Sequence, residues 1–200
     1  MLPLAVIIVG YLIGAIPTGL IVVRLLTGED IRRHGSGNIG TVNVFRVAGT
    51  ATAVVVLAVD IVKGMVPVLL AVRMGLPPWT VVAGGLAAIA GHNWSVFLGF
   101  QGGKGIATSF GVLLAISWLA AAVAAVVWVV VVAITRYASL GSLLAVVSVP
   151  FSLRWLRQPD AYVYFGIIAA LFAIYRHRAN IQRLVTGTEL HITDREPIKK

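Results

Sequence analysis

The sequence predicts an all-α integral membrane protein with about seven transmembrane helices, some short, its N-terminus outside and its C-terminus cytoplasmic. Three observations carry this. The 200 residues are 59% hydrophobic and only 12% charged, with a mean hydropathy of +0.96, whereas about a quarter of an ordinary soluble domain is charged. Apolar runs near the ~20 residues that cross a bilayer recur along the chain. Basic residues collect in alternate loops. So little polar surface could not face water, so lipid must solvate most of the chain.

The runs are readable in order. Leu2 to Val23 is the first; the Met-Leu-Pro-Leu start lacks the basic n-region of a signal peptide, so it reads as a retained helix. Ala48 to Val72 is the second, interrupted by Asp60 and Lys63, and Trp79 to Leu98 the third, after Leu76-Pro77-Pro78. Ile106 to Thr135 holds 30 uncharged residues, a helix of about 45 Å against a hydrocarbon core of about 30 Å. It is one tilted span or two short ones turning near Ser117 and Trp118. Ala138 to Leu153 and Ala161 to Tyr175 complete the set.

Charge parity favours the hairpin. With seven passes, loops 24–47, 99–105 and 136–138 and the tail through Lys199 and Lys200 share one face and twelve basic residues; Arg73, Arg154 and Arg157 mark the other. Cytoplasmic loops carry such an excess. The net charge of +9 is thereby explained without nucleic acid, since the basic residues form no continuous stripe. There are no cysteines, which excludes a thiol nucleophile, a Cys metal site and disulfides. No repeat or separate soluble domain is visible, so residues 1–200 read as a single transmembrane domain.

Three polar stretches stand out. Gly35-Ser36-Gly37-Asn38-Ile39-Gly40-Thr41-Val42-Asn43, with Arg46 following, fits GxGxxG, but a membrane helix precedes it where a dinucleotide site needs a strand. Its glycines still allow a concave nest of N–H groups at a helix start, a form that binds anions. Ser36, Asn38, Thr41 and Asn43 add donors and Arg46 can grip phosphate; the bland alternative is a flexible polar loop. Gly99 to Gly105 carries Gly102-Gly103-Lys104. It is no Walker loop, because Leu98 and Gly105 occupy the required Gly and Ser/Thr positions, yet a lysine among glycines at a helix N-terminus is an anion site by the same physics. Ser139 and Ser142 open the next span and are candidate caps.

The third stretch is the tail from Arg176, where His177 and Asn180 fall on one helical face and Glu189 follows Gly187-Thr188. A basic tail on anionic headgroups would explain its arginines but neither Asn180 nor Glu189. His92 is more often a satisfied interior histidine than a catalyst, and Asp60 and Lys63, three apart, read as a mutually neutralising structural pair. Neither His92 nor His177 has a carboxylate at a spacing that suggests a triad. A metabolite transporter would place its site near the midplane between repeats, and a scaffold has no use for three such loops.

Taken together and in this order, the stretches resemble the bacterial acyl-phosphate:glycerol-3-phosphate acyltransferases, the PlsY family. The GSGNxGATN pattern with its later Arg stands as Gly35 to Asn43 and Arg46, GGKG as Gly102 to Gly105 behind Gly91-His92, and HRxNIxRLxxGxE as His177 to Glu189. Thr41-Val42 replaces Ala-Thr, and Ser95 stands where proline is usual. The resemblance implies an enzyme of the bacterial plasma (inner) membrane, with its site on the cytoplasmic side. It would join an acyl phosphate to the 1-hydroxyl of glycerol 3-phosphate, giving lysophosphatidic acid and phosphate. An acyl phosphate is already activated, so no cofactor and no metal are expected, and the partners are the two substrates and membrane lipid. On that reading Ser36, Gly37, Asn38, Gly40, Thr41, Gly102 and Gly103 hold the acyl phosphate, and Arg46, Lys104, Ser142, His177 and Asn180 hold glycerol 3-phosphate. Lys104, His177 and Ser36 are the catalytic candidates; Asn43, Glu189, Asp60 and Lys63 are structural support. The base is His177 or a phosphate oxygen of the donor, and Lys104 or loop N–H groups steady the oxyanion.

Overall fold

A computed structural model describes residues 1–196, so Lys199 and Lys200 of the basic face lie outside the described residues. The architecture is all-helical, as expected. The first apolar run is not one helix: Pro17 lacks an N–H and splits it into α1 (Leu2–Ala15) and α2 (Thr18–Thr27). A 3₁₀ turn at Ile31–Arg33 leads to α3 (Thr41–Arg73). This helix begins seven residues before the expected apolar run, and Gly49, at φ 83° and ψ 177°, kinks it.

The third run is shorter than expected: α4 (Pro78–Asn93) stops where Trp94 leaves helical geometry, and a 3₁₀ turn at Val96–Leu98 follows. Then come α5 (Ile106–Ile116), α6 (Trp118–Thr135), α7 (Ala138–Trp155), α8 (Asp160–Arg176) and the short α9 (Arg178–Val185). The long apolar run 106–135 is therefore two helices. Ser117 breaks it with an extended backbone (φ −160°) and caps α6 by accepting from Ala120 N–H at 3.4 Å. In lipid a turn must satisfy its own backbone in this way. The residues flanking the run, Lys104 before it and Ser139 after it, line the same cleft, whereas one straight helix would hold the ends of the run about 45 Å apart.

Pairing follows small residues. α1 lies on α4, α3 on α5, α6 on α7 and α7 on α8, while large apolar side chains such as Ile8, Val55, Val126, Phe151 and Leu171 point outward. In lipid, close backbone approach does what hydrophobic burial does in water. At the α1–α4 crossing a Cβ on Gly14 would collide with the Ala88 carbonyl, and one on Gly10 would sit 2.6 Å from the Gly84 oxygen. Gly14→Ala is accordingly expected to lower stability by about 1–3 kcal/mol through overpacking. The unfolding midpoint in detergent reads this, and an unchanged midpoint would refute a tight seam.

The intramembrane charges are paired. Lys63 Nζ lies 2.8 Å from Asp60 Oδ1 and also donates to the Ile16 carbonyl at 3.0 Å. That carbonyl sits where the Pro17 break interrupts the helical ladder, so the pair also ties α3 to the α1–α2 joint.

Candidate active site

Four stretches distant in sequence converge on one cleft: the loop before α3, the start of α5, the start of α7 and the segment around α9. The first is built by Asn43, which is 2% exposed. Its Oδ1 accepts from Ser36 N–H at 2.8 Å, and its Nδ2 donates to the carbonyls of Asn38 (2.8 Å) and His34 (3.1 Å). Asn38 Oδ1 accepts from Gly40 N–H at 2.8 Å. Gly35 takes a left-handed φ of 56° beneath Asn43, where a Cβ would collide with Asn43 Oδ1, and Gly37 takes φ 71°. Ser36, Asn38, Gly40 and Thr41 line the cleft; Gly37 does not.

Two buried atoms at the start of α3 have no partner among the described residues, Thr41 Oγ1 and Arg46 Nε. The far end of the Arg46 guanidinium is engaged: Nη2 donates to the carbonyls of His191 (2.9 Å) and Leu190 (3.1 Å). Arg46 therefore holds the tail across the cleft while keeping a buried donor free. Orphaned buried groups of this kind call for a ligand or an ordered water.

Lys104 follows Gly102 and Gly103, neither of which lines the cleft, although Lys104 and Gly105 do. A Cβ on Gly102 would strike the His92 carbonyl, and one on Gly103 the His92 ring. Glycine thus lets this segment lie against the end of α4. Ser95, at the usual proline position, donates to the Ala15 carbonyl at 2.5 Å and holds that turn to α1. Burial pushes the Lys104 ammonium down to about 8; the cations Arg183, Arg46 and Arg176 add to this and Glu189 opposes it.

Glu189 organises the remainder. Its Oε1 accepts from Asn180 Nδ2 (2.7 Å) and Ser139 Oγ (3.0 Å), and its Oε2 from Arg183 Nε (2.7 Å). His177, 2% exposed, has Nδ1 at 2.8 Å from the Ala173 carbonyl. A carbonyl oxygen only accepts, so Nδ1 carries the proton and Nε2 keeps its lone pair. Burial, and then Lys104, pushes this imidazole down to about 4, leaving it neutral near pH 7. Ser142 lines the cleft, but its hydroxyl donates to the Ala138 carbonyl (2.8 Å) and accepts from Trp128 Nε1 (3.2 Å), which leaves one lone pair. Neither serine caps α7, whose cap position is Tyr137.

Two arrangements lay beyond sequence spacing. Asp60 comes within 3.9 Å of His92 Nδ1, so a carboxylate does stand beside a histidine at the cleft wall. Arg176 Nε and Nη2 donate to the carbonyls of Gly103 (2.9 Å) and Gly102 (2.7 Å). In the sequence Arg176 is one more cation ending an apolar helix, and no local signal separates it from Arg178. Among the described residues no three His, Asp or Glu side chains gather as metal ligands.

The cleft is one cavity of about 470 Å³. Its polar end holds Ser36, Thr41, Arg46, Lys104, His177 and Asn180; its other end is walled by Leu57, Leu113, Ala124, Val149, Phe165 and Ala169. Fold and site define an integral membrane protein whose cation-lined cleft is continuous with an apolar lining, a form suited to an enzyme of phosphorylated lipids. Residues 4–187 match the family described as Glycerol-3-phosphate acyltransferase. The chain is 48% identical to a glycerol-3-phosphate acyltransferase of Desulforudis audaxviator, covering 96% of this chain and 98% of that one. It is 49% identical to glycerol-3-phosphate acyltransferase 2 of Moorella thermoacetica, again over 96% and 98%. The crystal structure of PlsY (YgiH), an integral membrane glycerol 3-phosphate acyltransferase, in its glycerol 3-phosphate form, superposes with a TM-score of 0.92. It shares 39% identity over 96% of each chain. The lysophosphatidic acid form of PlsY gives 0.90, at 38% identity over 96% of this chain and 95% of that one. The chain belongs to the glycerol-3-phosphate acyltransferase family.

Proposed function

We propose that this chain, as one transmembrane domain over residues 1–200, transfers the acyl group of a fatty acyl phosphate to the 1-hydroxyl of glycerol 3-phosphate. The observation that carries this is the continuity of cationic cleft and apolar channel, because the substrates bear phosphates and the donor also bears a hydrocarbon tail. The glycerol 3-phosphate and lysophosphatidic acid forms of the structural relative PlsY support the same reading.

The residues divide the work. The N–H groups and hydroxyls of the Gly35–Asn43 loop, with Ser36 and Thr41 foremost, hold the acyl phosphate at the α3 N-terminus. Arg46 Nε, Lys104, Ser142 and Asn180 hold glycerol 3-phosphate. Its 1-hydroxyl attacks the acyl carbon and the new ester C–O bond forms. The bond from that carbon to the phosphate oxygen breaks, and phosphate leaves with the electron pair. The hydroxyl proton goes to His177 Nε2, whose lone pair is already presented, or to an oxygen of the departing phosphate. Lys104 meets the negative charge that develops on the carbonyl oxygen.

The basic loops support an N-terminus outside and a cleft at the cytoplasmic side of a bacterial inner membrane. Purified protein supplied with acyl phosphate and glycerol 3-phosphate is expected to release phosphate only when both are present. Equal release from acyl phosphate alone, or none with both, would overturn the assignment.

A further inference from the structure

Arg176 is outside every role assigned above, yet its guanidinium makes the closest contact to the Lys104 segment from outside the cleft. Nε reaches the Gly103 carbonyl at 2.9 Å and Nη2 the Gly102 carbonyl at 2.7 Å. The guanidinium carbon also lies 5.8 Å from the centroid of the Trp94 ring, which itself packs edge-on against Phe172 of α8. Two carbonyls of consecutive peptides thus face one planar fork, a geometry an arginine can span and a lysine cannot.

The consequence follows from peptide geometry. In a trans peptide the carbonyl and the next N–H point in opposite directions, and the described chain contains no cis bond. Holding the Gly102 oxygen turns Gly103 N–H the other way, and it donates to the His92 carbonyl at 3.0 Å. Holding the Gly103 oxygen turns Lys104 N–H away from Arg176 as well; that N–H has no partner among the described residues. The segment is thereby clamped between Arg176 and the end of α4, close enough that a Cβ on Gly103 would strike the His92 ring.

We propose that Arg176 is a positioning residue for acyl transfer: by fixing two successive carbonyls it aims the Lys104 N–H and ammonium at the reacting acyl oxygen. The inference rests on the transfer reaction proposed above. Arg176 does not line the cleft; it positions through the Gly102–Lys104 backbone, and its charge also bears on the Lys104 ammonium.

Misaiming an electrophilic group by about 1 Å costs roughly a hundredfold in rate. Arg176→Ala is expected to lower kcat by about that factor while raising the KM for glycerol 3-phosphate much less, since of its four binding residues only Lys104 is displaced and Arg46, Ser142 and Asn180 are untouched. A second readout is electrostatic. Lys104 faces Arg46 of α3, Arg176 and His177 at the end of α8, Arg183 of α9 and Glu189 of the tail. Arg176→Gln removes one neighbouring cation, so the ammonium holds its proton to higher pH and the alkaline limb of kcat/KM moves upward. General loosening of the fold would not shift that limb. Should the alanine variant fail to fold, Arg176→Lys decides: an ammonium reaches one carbonyl, and kcat is expected to fall about tenfold. A kcat within about twofold of the unmodified protein in the folded variants, or a fixed alkaline limb in Arg176→Gln, would overturn the proposal. Turnover of the unmodified protein, measured first, tests the reaction itself; only the ratio of variant to unmodified enzyme tests Arg176.

Discussion

Lys104→Ala is expected to lower kcat by about a thousandfold, the scale of losing a preorganised donor to a developing oxyanion, while the folded state persists. The side chain is half-enclosed by the cleft and makes no hydrogen bond to the described residues, so its removal leaves no protein partner stranded. Its charge is what the cleft lacks afterwards. Because burial and three arginines push the ammonium down to about 8, the unmodified enzyme should lose kcat/KM as pH rises through that value, when the group deprotonates. On the proposed reaction the two substrate phosphates would stabilise the cation, so the matching limb of kcat should lie at higher pH than that of kcat/KM. Lys104→Arg, charged throughout, should show neither limb. Phosphate-release kinetics between pH 6 and pH 10 check this; retention of more than a tenth of kcat in the alanine variant would remove Lys104 from the chemistry.

Glu189→Ala should act on structure and site together. The carboxylate satisfies Asn180, Ser139 and Arg183 at 2.7, 3.0 and 2.7 Å, and its side chain is 4% exposed against 37% for Arg183. Most of its contribution therefore comes from the two buried neutral donors, the partly exposed arginine adding less. Stranding these donors costs about 2–4 kcal/mol. The thermal midpoint should fall and the segment that carries Leu190 and His191 should loosen over Arg46. Glu189→Gln keeps the shape but removes a charge that holds the Lys104 proton, so its alkaline limb should move to lower pH, the reverse of Arg176→Gln. A midpoint within error of the unmodified protein would show that Glu189 organises nothing.

Much of this was legible because lipid imposes local rules. Apolar length, alternating basic loops and the turn at Ser117 follow from dehydration and charge placement, which act on each segment separately. The Gly35–Asn43 loop was readable for a related reason: Asn43, Asn38 and the positive-φ glycines satisfy one another within nine residues of sequence. The break at Pro17, the kink at Gly49 and the early end of α4 were not, since a smooth hydropathy run hides backbone geometry.

The sequence alone determined that this is a helical membrane protein with three polar, cation-bearing stretches between its apolar runs, because composition and periodicity choose the solvent of each residue. Only the tertiary structure decided that Arg46 grips the tail carbonyls, that Arg176 grips the Lys104 segment and that Asp60 stands beside His92. Those pairings join residues up to 145 positions apart. Such partners are set by where helices cross and how deeply they approach, a property of packed surfaces that no spacing along the chain records.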